Sequence, residues 1–130
     1  MIEDTSFVID VLNGDAAALD LLAIAEAERR PEKVSSVTLL ELHEGVRQST
    51  HPSEERAQVL DVLDSKTVIP AGKSIMRRAG EMSGALASSG EPIDREDCIV
   101  AATALQEDEP VLTRNVTHFE RIPDARVREY

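Results

Sequence analysis

Apolar residues along this chain come in short packets divided by polar punctuation. Residues 1–4 begin apolar and end on an acid. Phe7-Val8-Ile9 and Val11-Leu12 then run to a break at Asn13-Gly14-Asp15. That pattern predicts a buried strand ending near Asp4 and a helical turn capped by Thr5 or Ser6. Residues 16–30, rich in Ala, Leu and Glu, predict a helix that Pro31 stops. A second strand is expected over 34–37, after which Ser36 or Thr38 caps a helix with Leu39, Leu42 and Val46 on one face and Glu41 off that stripe. Beyond His51-Pro52-Ser53, residues 54–63 predict a helix buried through Ala57, Leu60 and Leu63, and Thr67-Val68-Ile69 a short strand.

The helix expected over 73–88 sets Ile75, Ala79, Met82 and Leu86 on one face and ends at Ser89-Gly90. Asp94-Arg95-Glu96-Asp97 opens the run 98–105, apolar nearly all round and therefore a buried helix. Residues 110–113 read as a strand, 114–118 as a turn and 126–128 as a last short strand. Short strands alternating with helices predict a parallel sheet covered on both faces, hence an α/β fold. With 130 residues and 42% apolar content, the whole chain is expected to form one domain, 1–130.

Charge changes the picture. There are 25 Asp+Glu against 14 Lys+Arg, a formal charge of −11, so a broadly basic surface that coats nucleic acid is excluded. The acids fall in runs that read as solvated surface, a composition suited to a salt-rich cytoplasm. No apolar run approaches the roughly 20 residues of a membrane span, and the first residues lack a signal-peptide pattern, so a cytoplasmic protein is expected. Cys98 is the sole cysteine and His43, His51 and His118 are scattered, so zinc-type spacing is absent and any metal is expected on oxygen.

Three acids stand where an unpaired charge costs several kcal/mol, on the order of the price of burying any isolated ion. Asp4 ends the first apolar strand, Glu41 sits one turn into a helix amid Val37-Thr38-Leu39-Leu40, and Asp97 opens the most apolar helix. Ligand sites of open parallel sheets collect beyond the strands' carboxyl ends where strand order reverses. Asp4 and Thr113-Arg114-Asn115 are both expected there. Hard oxygen ligands without Cys or His suit Mg2+ or Mn2+. Simpler roles stand beside this one: Asp4 and Asp94 as helix caps, Asp97 as a first-turn residue, Glu41 paired with Arg47 at the surface, and His118 as a rim residue beside Phe119. No nucleophile elbow and no phosphate-binding glycine loop is present.

The stretches 1–10, 36–42, 97–104 and 112–123 resemble, in order and spacing, the PIN-domain ribonucleases, most closely the VapC toxins. The likeness spans essentially the whole chain, and its specific parts are Asp4-Thr5-Ser6 and the Asp97-x-x-x-Ala101-Ala102-Thr103-Ala104 helix. The resemblance implies a three-layer α/β/α domain around a mainly parallel sheet of about five short strands. It also implies a Mg2+- or Mn2+-dependent endoribonuclease site, with Asp4, Glu41 and Asp97 matching the family's acidic positions. A fourth acid is common in the family's counterpart of 113–119, where this chain has Asn115 and His118. Asn115 is then expected to hold a water or the metal's surroundings, Asp94 to serve as an outer carboxylate, and Thr5, Ser6 and Arg114 to meet substrate.

Bound cations would supply a nucleophilic hydroxide and relieve charge on the phosphate. On so acidic a protein, RNA is expected to be drawn by Arg47, Arg77, Arg78, Arg95, Arg114 and Arg121, and to be a structured RNA offering an unpaired loop. The resemblance further implies a cognate VapB-like antitoxin. Its segment would block the site, seated in a groove between the helices of 16–30 and 54–63, and a homodimer is common among such toxins. The competing readings are a PIN-like module that binds RNA or a partner without cutting, and a Mg2+-dependent acid-cluster phosphatase or phospho-receiver. Against the latter, Asp4-Thr5-Ser6 lacks the second Asp of the usual phosphatase motif.

Overall fold

A computed structural model describes residues 1–130. Five strands, β1 (Ile2–Glu3), β2 (Lys33–Ser35), β3 (Thr67–Ile69), β4 (Val111–Leu112) and β5 (Val127–Arg128), form one sheet in the order β3-β2-β1-β4-β5. Every pairing is parallel; Ile2 lies between Lys33 and Val111, and Glu3 between Val34 and Leu112. Strand order reverses at β1, with β2 on one side and β4 on the other. That reversal opens a crevice at the carboxyl ends of β1 and β4.

Seven helices cover the sheet: α1 (Thr5–Leu12), α2 (Ala16–Ala27), α3 (Ser36–Gln48), α4 (Pro52–Asp64), α5 (Lys73–Ser88), α6 (Arg95–Glu107) and α7 (Val116–Glu120). Alternation along two-residue strands sorts them into layers. Ile2 and Val111 meet Val100, Ala101 and Ala104 of α6 and Phe119 of α7. On the opposite face Leu112 packs with Phe7, Ala18, Leu21 and Ala25, and Val34 with Val8, Leu42, Val46 and Val59. The α6 run is buried nearly all round because α5 covers its other side, Ile75 and Ala79 touching Cys98 and Ala102. The α/β class and the three-layer expectation hold.

Several local expectations shift. The cap of α1 is Asp4, whose side chain accepts from Phe7 N, not Thr5 or Ser6, and the cap of α3 is Ser35, so β2 ends two residues early. In α4 the buried residue is Val59, while Leu60 is 49% exposed. A three-residue step falls short of the 3.6-residue turn, so a 57/60/63 row winds off the face that touches α3. The expected turn over 114–118 contains the start of α7, which exists because Phe119 is drawn fully into the core.

One polar feature lies inside the apolar layers. Lys66 Nζ reaches Glu3 Oε1 and Glu32 Oε1, each at 2.8 Å, with Lys66 and Glu3 almost wholly buried. One ammonium between two carboxylates leaves a net negative charge, and burial lifts the Glu3 carboxyl to about 7 against the pull of Lys66. No helix is long and apolar enough to cross a membrane.

Candidate active site

The chain leaves β1 through Asp4, whose extended backbone (φ −79°, ψ 172°) starts α1. Its Oδ1 accepts from Phe7 N at 2.9 Å and Ser6 Oγ at 2.7 Å. Its Oδ2 accepts from Thr113 Oγ1, just past β4. Cap and site position therefore coincide in one residue: the helix start requires the first oxygen, and the neighbouring strand end pins the second. Only 2% of Asp4 is exposed.

Glu41 comes from α3, one and a half turns past the end of β2, and is half-buried. The Thr5 hydroxyl donates to its Oε1 at 2.6 Å and lies 3.1 Å from buried Thr38 Oγ1. Asp97 stands in the first turn of α6 with Oδ2 2.9 Å from His118 Nδ1 on α7. His118 stands at the rim as expected, its side chain 39% exposed, and is also the partner of a site acid. Asp94 occupies the cap position of α6, yet its carboxylate makes no cap bond and faces solvent.

The three acids share one electrostatic basin. Burial raises the affinity of Asp4 for a proton, against the bonds from Thr113, Ser6 and Phe7, and the Asp97 charge raises it further. Burial likewise raises Glu41, opposed by Thr5 and reinforced by Glu96, Asp97 and Asp4. Asp97 is raised by burial, opposed by His118 and reinforced by Asp94 and Glu96. Side chains from positions 4, 41 and 97 are therefore close enough to repel one another.

In their present rotamers they do not close as a group of three ligands around one point. Asp97 is turned to His118 and Glu41 to Thr5. The donor chemistry is nonetheless that of a hard divalent cation: carboxylate oxygens, buried in Asp4 and half-buried in Glu41 and Asp97, with protein hydroxyls beside them. Residues Asp4, Glu41 and Asp97 fit such an ion in the kind of donor they offer.

The remaining expected residues line the same edge. Asn115 donates its backbone N–H to Thr113 Oγ1 at 2.8 Å, and its side chain caps nothing in α7. The Arg114 backbone N–H donates to Ser6 Oγ at 3.3 Å, and its guanidinium reaches Asp10 Oδ1 at 2.7 Å. Of the other arginines expected at the rim, Arg78 and Arg121 line a cleft of about 450 Å³ over α5 and the segment after α7, and Arg121 donates to Pro92 O at 3.1 Å. Glu41 makes no ion pair with Arg47. Thr113 stands at the strand end beside Asp4, as its place in the sequence predicted, whereas Thr38 and Asp10 are network members that the residue pattern did not single out.

Parallel order, a reversal at β1 and carboxylates gathered at its mouth define a PIN-type α/β domain. The chain belongs to the PIN-domain family, whose sequence model, "PIN domain", matches residues 1–125. Among curated relatives it is 33% identical over 123 residues to "Ribonuclease VapC19" of Mycobacterium tuberculosis, covering 95% of this chain and 94% of that one. It is 37% identical over 116 residues to "Ribonuclease VapC10" of the same species, covering 89% and 83%. Among solved structures, it superimposes with a TM-score of 0.89 and 22% identity on a chain of VapBC2 from Rickettsia felis bound to a DNA fragment from their promoter, covering 99% of this chain and 97% of that one.

Proposed function

We propose that this protein is the toxin of a toxin–antitoxin pair, a metal-dependent endoribonuclease that hydrolyses phosphodiester bonds in a structured RNA. The observation that carries the reading is the gathering of Asp4, Glu41 and Asp97 at the sheet's carboxyl edge, each with its proton affinity raised by burial and by charged neighbours. Such a site favours a partner that cancels negative charge, and Mg2+ or Mn2+ held by the three carboxylates does so. Held by Asp4, Glu41 and Asp97, such a cation would activate water at neutral pH and offset charge on the phosphate.

The protein's own groups prepare that chemistry. Thr113 and Ser6 fix the Asp4 carboxylate, Thr5 steers Glu41, and α6 offers its N-terminal dipole to Asp97. Asn115 stands beside Thr113 with its amide free to orient water. Asp94 adds negative charge at the rim. Arg114 is the cation fixed at this edge, and Thr5 and Ser6 flank the path a phosphate takes to Asp4.

An antitoxin fits a cleft of about 250 Å³ between α1, α3 and α4, lined by Ile9, Leu12, Leu42, Val46 and Val59 and reaching Glu41. This displaces the expected groove, since α2 does not line it. An amphipathic segment laid there, with a basic side chain offered to the acids, blocks the site. VapB-like chemistry of this kind, and a homodimer of the toxin, are the assemblies this reading expects.

The test is incubation with total host RNA and with a generic phosphatase substrate, with Mn2+ and with chelator, for the wild type and for Asp97→Asn. RNA fragments that need metal and Asp97 support the reading. Phosphatase turnover supports the acid-cluster alternative. RNA binding without cleavage supports a non-catalytic module, which the His118 contact on Asp97 favours as second reading.

A further inference from the structure

Arg114 is held in an unusual way for an exposed cation. Its side chain is 57% open to solvent, yet one nitrogen, Nη1, is fixed on Asp10 Oδ1 at 2.7 Å. Asp10 itself is 7% exposed, on the inner side of α1. Its second oxygen accepts from the Tyr130 hydroxyl. The Tyr130 ring stands edge-on to fully buried Phe7, centroids 5.1 Å apart at 79°. Phe7 is also the residue whose backbone N–H caps onto Asp4. The main chain of Arg114 bonds Ser6 Oγ, the hydroxyl that donates to Asp4.

An isolated surface Arg–Asp pair fixes little. Here the acceptor is buried and tethered, so rotamer freedom of the long side chain is surrendered before any ligand arrives. The manner of the tether matters more. A guanidinium and a carboxylate ordinarily close as a fork on a fork, which would consume both outward nitrogens. With the Tyr130 hydroxyl on Asp10 Oδ2 at the same time, Arg114 and Asp10 share a single bond, and no other protein acceptor takes the remaining guanidinium donors. A planar set of free donors beside a carboxylate site matches a phosphodiester, which the surrounding acids otherwise repel.

We infer that Asp10 and Tyr130 are positioning residues that hold Arg114 as a phosphate-binding group on the α1 side of the sheet's carboxyl edge. This rests on the ribonuclease reading. Tyr130 acts by fixing the Asp10 carboxylate: without its hydroxyl that carboxylate is free to turn, and the guanidinium loses its fixed place.

The experiment measures kcat and KM on an RNA that the wild type cleaves, across a series of KCl concentrations. The enzymes are wild type, Arg114→Ala, Arg114→Lys, Asp10→Asn, Tyr130→Phe and the Asp10→Asn/Arg114→Ala double variant, with circular dichroism as the check on folding. Arg114→Ala should raise KM by about tenfold, more than it lowers kcat, as expected for one charged hydrogen-bonding contact. It should also flatten the salt dependence by about one phosphate contact, and Arg114→Lys should rescue the salt slope better than KM. Tyr130→Phe, which keeps the ring on Phe7, should raise KM by roughly threefold, half of that effect on a logarithmic scale. Asp10→Asn should add no loss in the Arg114→Ala background.

Equal losses from Asp10→Asn in both backgrounds, or an unchanged KM in Tyr130→Phe, overturn the inference while leaving the ribonuclease reading intact. A wild type that cleaves no RNA overturns both. Should Asp10→Asn fail to fold, the Tyr130→Phe result decides.

Discussion

Replacing Asp4 by asparagine and by alanine should abolish cleavage in both cases and move stability in opposite directions. In Asp4→Ala the α1 cap is lost, worth about 1 kcal/mol. The hydroxyls of Ser6 and Thr113, 8% and 0% exposed, lose their acceptor. An orphaned buried donor costs roughly 1–3 kcal/mol, so two of them and the cap sum to about 3–7 kcal/mol, offset in part by relief of the same buried charge, from a total stability of order 5–15. Asp4→Asn keeps an oxygen for Phe7 N and Ser6 Oγ. Only the Thr113 contact must reverse; its hydroxyl, already accepting from Asn115 N, then accepts from the new amide and loses a place for its own proton. That costs about 1 kcal/mol. Against it stands relief of a buried charge whose proton affinity is raised by burial and by Asp97. The expected net effect runs from zero to about 1 kcal/mol of stabilisation, a melting shift of up to roughly 3–5 °C for a domain of this size.

The pH dependence has a definite sign. The folded state binds the Asp4 proton more tightly than the unfolded chain does. Stability from this group is therefore full below the unfolded value of 3.8 and is lost as pH rises through the raised folded value. The advantage of Asp4→Asn over wild type must grow with pH and then level off. Urea unfolding followed by circular dichroism in chelator, from pH 5 to 8, measures it. Adding Mn2+ at a hundred times its Kd should stabilise the wild type by about 2.7 kcal/mol and the variant by much less. An Asp4→Asn protein more than about 2 kcal/mol less stable than wild type at pH 8, or an advantage that grows toward acid, would refute the reasoning: the ionised carboxylate would then be a net stabiliser of the fold.

Glu3, lifted from 4.5 to about 7 inside the Lys66 triad, carries stability that is present below pH 4.5 and lost as pH rises through 7. The stability of Glu3→Gln relative to wild type in urea should accordingly rise between pH 4.5 and pH 8. His118→Asp puts a like charge against Asp97, so the metal-free protein should melt lower while calorimetric Mn2+ affinity rises at least several-fold; unchanged affinity would separate position 118 from the metal. With a formal charge of −11, self-repulsion should be relieved by salt, so the melting temperature of the metal-free protein should climb between 0.1 and 2 M KCl.

Which parts of this arrangement could be read from residues alone follows the range of the interactions. A buried run such as 98–105 is a local signal that α6 follows, whereas α2, expected to run to residue 30, ends at Ala27 because Arg29 takes a left-handed backbone (φ 55°) before Pro31 is reached. The acids at 4, 41 and 97 were conspicuous because each breaks an apolar context, and a fold with parallel strands has one edge at which such residues collect. Capping and site roles for Asp4 looked like rivals in one dimension. In space they are compatible, because a carboxylate has two oxygens and the helix start uses only one. The α4 stripe failed for a different reason. Leu60 is as apolar as Val59, so composition does not decide which is buried, and a three-residue step drifts off the face that α3 covers.

The links that tune the site had no local signature at all. His118 meets Asp97 across 21 residues, Arg114 meets Asp10 across 104, and Tyr130 meets Asp10 across 120. Each joins residue types that are ordinary surface components on their own, and none lies on a periodic stripe. They are nevertheless ordered by one constraint: a basin holding three repelling carboxylates needs donors around it, and hydroxyl, imidazole and guanidinium groups fill that need in turn. Thr5, Ser6 and Thr113 satisfy oxygens without adding charge. His118 adds a cation only when protonated, whereas Arg114 is permanently charged and is kept off the carboxylates by Asp10. Were Arg114 instead to pair directly with Asp4 or Asp97, it would neutralise the acids and compete with a divalent ion for the same oxygens. Diverting it to Asp10 leaves the acids unneutralised and the guanidinium available, and that division of charge is what an RNA phosphate and a cation would need in order to meet at one edge of the sheet.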